Sequence, residues 1–339
     1  MKKFINKADN VVDEAMEGFT SCYSNHYEKH PEVNAVVSKR PRKGKVALVI
    51  GGGSGHEPMF SGFVGEGLGD AAACGNVFAS PDPGTIYETA LAVESGRGVL
   101  FVYGNYAGDN LNFDMAEELL ADEEIEAAHV RVWDDCASAP KERMTDRRGI
   151  AGDLFVIKIA GAACDKGMGL AEAVKVTEAA RDNLRSIGVA TSPGQIPGLD
   201  KPTFEIGDDE MEYGMGIHGE RGIERTTMKG ADEIVEYLYK NIKEELELAG
   251  GEEVCVLVNG LGSTTVLEMS IAYRRLKELL DEDGITVHDA DINSYCTCQE
   301  MGGFSISLLK LDDTLKELYD MPCYCPYYAK KGKEMSWKD

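Results

Sequence analysis

Two hydrophobic patterns alternate along the first half of this chain. Short unbroken apolar runs, such as Val46-Ala47-Leu48-Val49-Ile50, predict buried strands at 45–50, 98–103 and 128–133. Between and around them, apolar residues recur every three or four positions. Val11, Val12, Ala15, Met16 and Phe19 form one such stripe and predict a helix over 8–24. Further helices are expected at 85–93, just after Pro83, at about 113–120, at 154–164 and at 170–187. Strand, loop and helix alternate three times, which predicts an N-terminal layered α/β domain with a central, largely parallel sheet.

The second half reads differently. Ser192-Pro193-Gly194-Gln195-Ile196-Pro197-Gly198 is rich in Pro and Gly, so the domains are expected to span 1–188 and 189–339. Strand-like segments follow at 203–206 and 211–220, the latter with glycine at alternate positions and backbone open on one face. A helix at 231–248, a strand at 254–258, a helix at 266–280 and strands at 286–289 and 304–309 complete an α+β, or mixed α/β, C-terminal domain. The C-terminal tail is expected to pack back on the first domain. There is no internal repeat and no low-complexity tract.

The first strand empties into Gly51-Gly52-Gly53-Ser54-Gly55-His56-Glu57-Pro58. Glycine lets the backbone approach a ligand closely and offer N–H groups to an oxyanion. Histidine adds a group that moves protons near neutral pH. A nucleotide P-loop needs Gly-x4-Gly-Lys-Ser/Thr, and no such lysine follows. A Rossmann fingerprint needs a third glycine where Pro58 stands. The octapeptide therefore points to a small ligand held by backbone amides; its bland alternative is a tight turn with a solvated histidine. The second strand runs into Gly104-Asn105-Tyr106-Ala107-Gly108-Asp109-Asn110. Ligands of open α/β sheets collect at the carboxyl ends of strands, so both loops are expected to face one pocket.

Composition narrows the picture. At 339 residues, 43% hydrophobic and 28% charged, the chain is an ordinary globular one of roughly two domains. A net charge of −24 argues against nucleic acid and anionic membranes as partners. No apolar run approaches 18 residues, and Met1-Lys2-Lys3-Phe4-Ile5-Asn6 lacks the apolar core of a signal peptide, so a cytoplasmic location is expected. Of the nine cysteines, Cys74, Cys164 and Cys255 sit in apolar or small-residue settings and read as buried thiols. Cys296-Thr297-Cys298 and Cys323-Tyr324-Cys325 suggest a four-thiolate zinc site. One intervening residue is tight for such knuckles, and no metal is assigned.

His56, Asp109 and His218 each lie among glycines. Alone, Asp109 reads as a helix cap and His218 as a structural or solvated histidine. Together they resemble a ligand site with two proton carriers and an imidazole nucleophile.

The octapeptide, Ser80-Pro81, Asn105-Tyr106, Gly108-Asp109, Leu111-Asn112-Phe113, Arg147-Arg148-Gly149, Gly216-Ile217-His218-Gly219-Glu220 and Gly302-Gly303-Phe304-Ser305 resemble, in order, the K subunit of dihydroxyacetone kinases. The resemblance covers nearly the whole chain. It implies a short ketose held as a hemiaminal on His218. Gly53, Ser54, Gly55, His56, Ser80 and Asp109 would surround the substrate, with Asp109 as the base and His56 as a second acid/base group. It also implies a homodimer, no cofactor on this chain, and a separate L subunit carrying ADP or ATP with magnesium. Phosphoenolpyruvate, through a phosphotransferase protein, or ATP would be the ultimate donor. Gly104 stands where dihydroxyacetone-specific relatives usually carry lysine, and Ala107 where threonine is usual. Both changes suggest a larger pocket and a ketotetrose such as erythrulose. A non-catalytic ketone sensor acting on a transcription factor is the rival class; it would need His218 but not the base.

Overall fold

The computed structural model describes residues 2–41 and 43–331. They form two compact units. One comprises the described residues up to Arg131, Phe155–Ala180 and those from Asp313 on; the other comprises Val132–Leu154 and Arg181–Asp312.

The first unit starts with α1 (Val11–Cys22), which buries Val12 and Met16 as its stripe requires. Its sheet holds β1 (Tyr27–Lys29), β2 (Ala35–Ser38), β3 (Ala47–Ser54), β4 (Ala71–Val77), β5 (Val99–Gly104) and β6 (Ala127–Val132). The order is β1-β2-β4-β3-β5-β6. β3 runs parallel to β4 and to β5, whereas β1 and β2 form an antiparallel edge. Central strands covered on both faces need unbroken apolar sequence, and residues 46–50 are essentially inaccessible. Val49 and Phe101 pack with Ile86 and Ala90 of α2 (Pro83–Leu91) and with Phe113, Ala116 and Leu120 of α3 (Ala107–Asp122). α4 (Asp153–Asp165) and α5 (Leu170–Asp182) follow.

The second unit carries β7 (Leu184–Ser192), β8 (Glu210–Tyr213), β9 (Glu224–Thr227), β10 (Glu253–Gly260), β11 (Thr286–Asn293) and β12 (Gly302–Lys310) in the order β11-β10-β12-β7-β8-β9. β10 and β11 are parallel; β10 with β12, β12 with β7, β7 with β8 and β8 with β9 are antiparallel. α6 (Ala231–Leu246) and α7 (Val266–Glu282) bury Leu238, Ile242, Met269 and Leu276 in a common core with Val256 and Ile306. Thr265 and Glu268 form a reciprocal capping box at the start of α7. The chain then returns to the first unit as α8 (Asp313–Tyr319), β13 (Cys323–Cys325) and β14 (Tyr328–Lys330). There the buried Lys158 of α4 donates to the Leu318 carbonyl at 3.0 Å.

The mixed α/β architecture is as expected, but several details differ. The helix expected over 170–187 stops at Asp182, and β7 takes over. Ile187 and Val189 alternate into the second unit's core, a strand period that follows the helix too closely to stand out. Residue 188, expected as the end of a domain, lies inside β7 and pairs with Ser305 of β12. Residues 203–206 are not a strand, and the strand expected over 211–220 ends at Tyr213. Of the second domain expected from sequence, 332–339 lie outside the described residues.

Candidate functional site

In the first unit the expected substrate residues lie where β3, β4 and β5 end. β3 does not stop at Ile50 but continues to Ser54. Its glycines pair with Ala73, Cys74 and Gly75 of β4, so the octapeptide is half strand and half loop. Gly55 makes the break with φ +102°, a conformation open chiefly to glycine. Its N–H donates to both carboxylate oxygens of Glu57 at 3.0 Å. His56 is 2% exposed and stacks on Phe78, ring centroids 4.8 Å apart.

The loop after β4 is stitched to this one. Ser54 Oγ donates to the Gly75 carbonyl at 2.7 Å, and Phe78 N–H donates to the Ser54 carbonyl at 2.9 Å. Phe78 holds φ +57°, unusual for an aromatic residue. A Cβ on Gly53 would fall 2.8 Å from the Ala79 nitrogen. Close approach of two backbones, rather than turn conformation, is why glycine stands there.

α3 closes the third side. It begins at Ala107, not near Phe113, so Asp109 is the third residue of a helix instead of part of a loop. A carboxylate in a first turn is favoured by the helix dipole, and Asp109 is 9% exposed. Asn112, one turn on, donates to Ser80 Oγ at 3.2 Å and to the Pro81 carbonyl at 2.8 Å. The structure thus brings Gly53, Ser54, Gly55, His56, Ser80 and Asp109 to one edge of one sheet. Ser80 depends on Gly75, where a Cβ would overlap the Ala79 carbonyl oxygen and lie 2.6 Å from the Pro81 nitrogen. Gly75→Ala is expected to cost about 1–3 kcal/mol, read as a lower urea midpoint; an unchanged midpoint would mean the 79–81 loop yields freely.

In the second unit His218 sits in a turn after β8, not on an open strand. Met215, Gly216 and Ile217 are all buried, and His218 is the first partly exposed residue after them. Gly216 N–H donates to the Glu220 carbonyl at 2.9 Å, and Gly219 closes the turn at φ +86°. His218 Nδ1 lies 3.0 Å from Glu220 Oε1, and the His218 N–H donates to Glu220 Oε2 at 2.9 Å. Burial alone would push the Glu220 carboxyl up. The His218 hydrogen bond and charge, with the Arg148 guanidinium, outweigh it and hold the group at about 2. That is below its ordinary 4.5, so the pairing stabilises the turn at neutral pH. The contribution fades as pH falls from the carboxylate range through about 2.

Glu220 and Arg148 lie in motifs whose residue types alone assign them no role. Arg148 lies 3.8 Å from Glu220 Oε2 and is fixed by Asp135 Oδ2 at 2.8 and 3.1 Å. Its neighbour Arg147, fully buried, makes a two-pronged bond to Glu245 at 2.9 and 3.0 Å. The only sequence-level sign of the first arrangement is a glutamate two residues beyond a histidine, with glycine between.

None of the nine cysteines forms a disulfide. Cys296 and Cys298 are buried in the second unit, Cys323 and Cys325 in the first. Burial pushes the Cys325 thiol up to about 12, the state of a core thiol rather than a thiolate ligand. Among the described residues, Asp114 and Glu117 of α3 and His129 of β6 are close enough to share a metal ion. Arg131, however, already bonds both Asp114 oxygens at 2.5 and 2.8 Å, so a cationic group is in place there.

Fold and site together define a two-unit α/β protein with a glycine-lined sheet edge and a carboxylate-backed histidine turn. The Dak1 domain model matches residues 17–327, and the chain belongs to the Dak1 family. It is 44% identical over 333 residues to the dihydroxyacetone-binding subunit DhaK of PTS-dependent dihydroxyacetone kinase 2 from Listeria innocua, covering 97% of this chain and 99% of that one. It is 39% identical over 334 residues, 97% of this chain, to the L-erythrulose kinase of Pectobacterium atrosepticum, of which it spans 56%. Among solved structures, the dihydroxyacetone kinase of C. freundii in its native form matches with a TM-score of 0.87 and 30% identity, over 99% of this chain and 62% of that one. The dihydroxyacetone kinase operon co-activator Dha-DhaQ matches with a TM-score of 0.88 and 28% identity, over 94% and 98%. No helix among the described residues is long and apolar enough to cross a membrane.

Proposed function

We propose that this chain is the ketose-binding, phosphoryl-accepting subunit of a dihydroxyacetone kinase, a phosphotransferase with an alcohol acceptor. The observation that carries the reading is the gathering of His56, Ser80 and Asp109 at one sheet edge, in a chain that matches DhaK subunits over nearly their full length. His218 takes the carbonyl carbon. Its Nε2 lone pair forms the N–C bond, and the carbonyl π pair moves to oxygen, which gains a proton. Loss of the Nδ1 proton to solvent completes net addition of N–H across C=O. A ketone can react this way and an alcohol cannot, which separates dihydroxyacetone from glycerol. Asp109, assisted by His56, takes the proton of the terminal hydroxyl as it attacks phosphorus. Positioning supplies much of the remaining rate. The donor, ADP or ATP with magnesium, belongs to a separate L subunit; that the similar Listeria protein is one subunit of a PTS-dependent kinase supports a separate partner. A cytoplasmic homodimer is the assembly this reading carries.

Gly104 closes β5 and Ala107 opens α3, next to Asp109. With no lysine or threonine there, a ketotetrose has more room, and the likeness to an erythrulose kinase favours the same reading. Steady-state kinetics with a cognate L subunit, its donor, and dihydroxyacetone or erythrulose test both points. Erythrulose is expected to match or exceed dihydroxyacetone in kcat/KM. A preference for dihydroxyacetone above about 10-fold, the scale of one added group in a tight pocket, would sink the ketotetrose assignment. Ketose binding with no phosphoryl transfer to either would favour a sensor, the reading supported by the likeness to Dha-DhaQ.

A further inference from the structure

Arg147-Arg148-Gly149 is a sequence motif that the proposed reaction leaves without a role, and Glu220 is a second unassigned group in contact with His218. Both belong to the second unit. Glu220 grips His218 at two points, Oε1 at 3.0 Å from Nδ1 and Oε2 at 2.9 Å from the backbone nitrogen. The carboxylate therefore cannot swing without losing both contacts to His218. Arg148 stands behind it at 3.8 Å and is itself held by the buried Asp135 and by the Gly214 carbonyl at 3.1 Å. Gly216 makes room for this arrangement. A Cβ there would overlap Glu220 Oε2 and Arg148 Nη1 and lie 2.8 Å from Glu220 Cδ. Even the glycine of the Gly-Ile-His-Gly-Glu segment is thus explained by a carboxylate–guanidinium approach.

An ionised carboxylate only accepts hydrogen bonds, so the Nδ1···Oε1 contact requires the imidazole proton on Nδ1. A neutral imidazole in water prefers its proton on Nε2, which leaves the wrong nitrogen nucleophilic for attack through Nε2. We propose that Glu220, braced by Arg148 and Asp135, is a positioning residue that reverses this preference and holds His218 in the Nδ1–H tautomer, with Nε2 as the nucleophile. The same carboxylate faces the ring when addition to a carbonyl leaves it cationic, as the orienting carboxylate does in hydrolase triads. This inference rests on the reading of His218 as the ketone-binding nucleophile, but the tautomer can be measured without any ketose.

The test is ¹⁵N NMR of histidine-labelled full-length protein in the neutral-imidazole range, with the His218 signals identified by their loss in His218→Ala. The native protein is expected to show His218 protonated on Nδ1. Glu220→Ala should move the proton largely to Nε2, and so should Glu220→Gln, whose single oxygen serves the backbone N–H and whose NH2 then faces Nδ1 as a donor. In a second arm, the rate of ketose adduct formation is followed by mass spectrometry under non-denaturing conditions. It should fall on the order of 10²-fold in Glu220→Ala and likewise in Glu220→Gln. A native His218 protonated on Nε2 would overturn the proposal, whatever the variants do to folding. So would a Glu220→Ala spectrum or adduct rate identical to native. A tautomer that shifts as expected, in a native protein that forms no adduct with any short ketose, would support Glu220 as the positioning residue and remove His218 as the nucleophile.

Discussion

Replacing His218 with alanine is expected to abolish the covalent ketose adduct while leaving the fold intact. With native protein, mass spectrometry under non-denaturing conditions after incubation with dihydroxyacetone should show a population heavier by one ketose. The variant should stay at its own mass. Turnover should fall by about 10³-fold or more, because a three-carbon substrate without its tether loses most of its pre-organisation. The fold should survive because the His218 side chain is 24% exposed, so truncation opens no core cavity. Glycerol should give no adduct with native protein, having no carbonyl carbon to attack. An adduct that persists in His218→Ala would move the nucleophile elsewhere.

Asp109→Asn should do the reverse, keeping the adduct and losing turnover. Asparagine has nearly the same shape but cannot take the hydroxyl proton, so kcat should drop by about 10²–10⁴-fold. Adduct formation on His218 should be near native. Stability should change little, by about 0.3–1 kcal/mol, the worth of a negative charge in a helix first turn, since Asp109 is the third residue of α3. Normal turnover in this variant would end its assignment as the base. The pair of variants separates tethering from proton transfer, and no single substitution does so.

The hydrophobic runs revealed β3, β5 and β6 because central strands need unbroken apolar sequence. β4 stayed hidden. Ala71-Ala72-Ala73-Cys74 has little strand character of its own, and its place between β2 and β3 is set by pairing with them. The glycines at 51–53 read as loop for a similar reason. Glycine is a poor strand former, yet the ladder to β4 carries β3 through to Ser54. The start of α3 was misjudged by six residues because Asn105, Gly108 and Asn110 look like loop; the helix nonetheless begins at Ala107.

What the residues determined by themselves was chemical. They placed glycines where a strand ends, a histidine and an aspartate among them, a second histidine in a glycine turn, and no P-loop lysine. Those features depend on residue type and short spacing, and they suggest a small ligand held by backbone amides rather than a nucleotide; the ketose is what the family resemblance adds. Tertiary structure alone decided which loops share an edge and what stands behind each functional side chain. Parallel pairing of β3 with both β4 and β5 joins the octapeptide to Ser80 and to the first turn of α3. The buried Asp135 holds Arg148 beside Glu220, and Glu220 stands 3.0 Å from Nδ1 of His218. Strand pairing and desolvated charge contacts join residues tens of positions apart, and their energies exist only once the chain has brought those residues together.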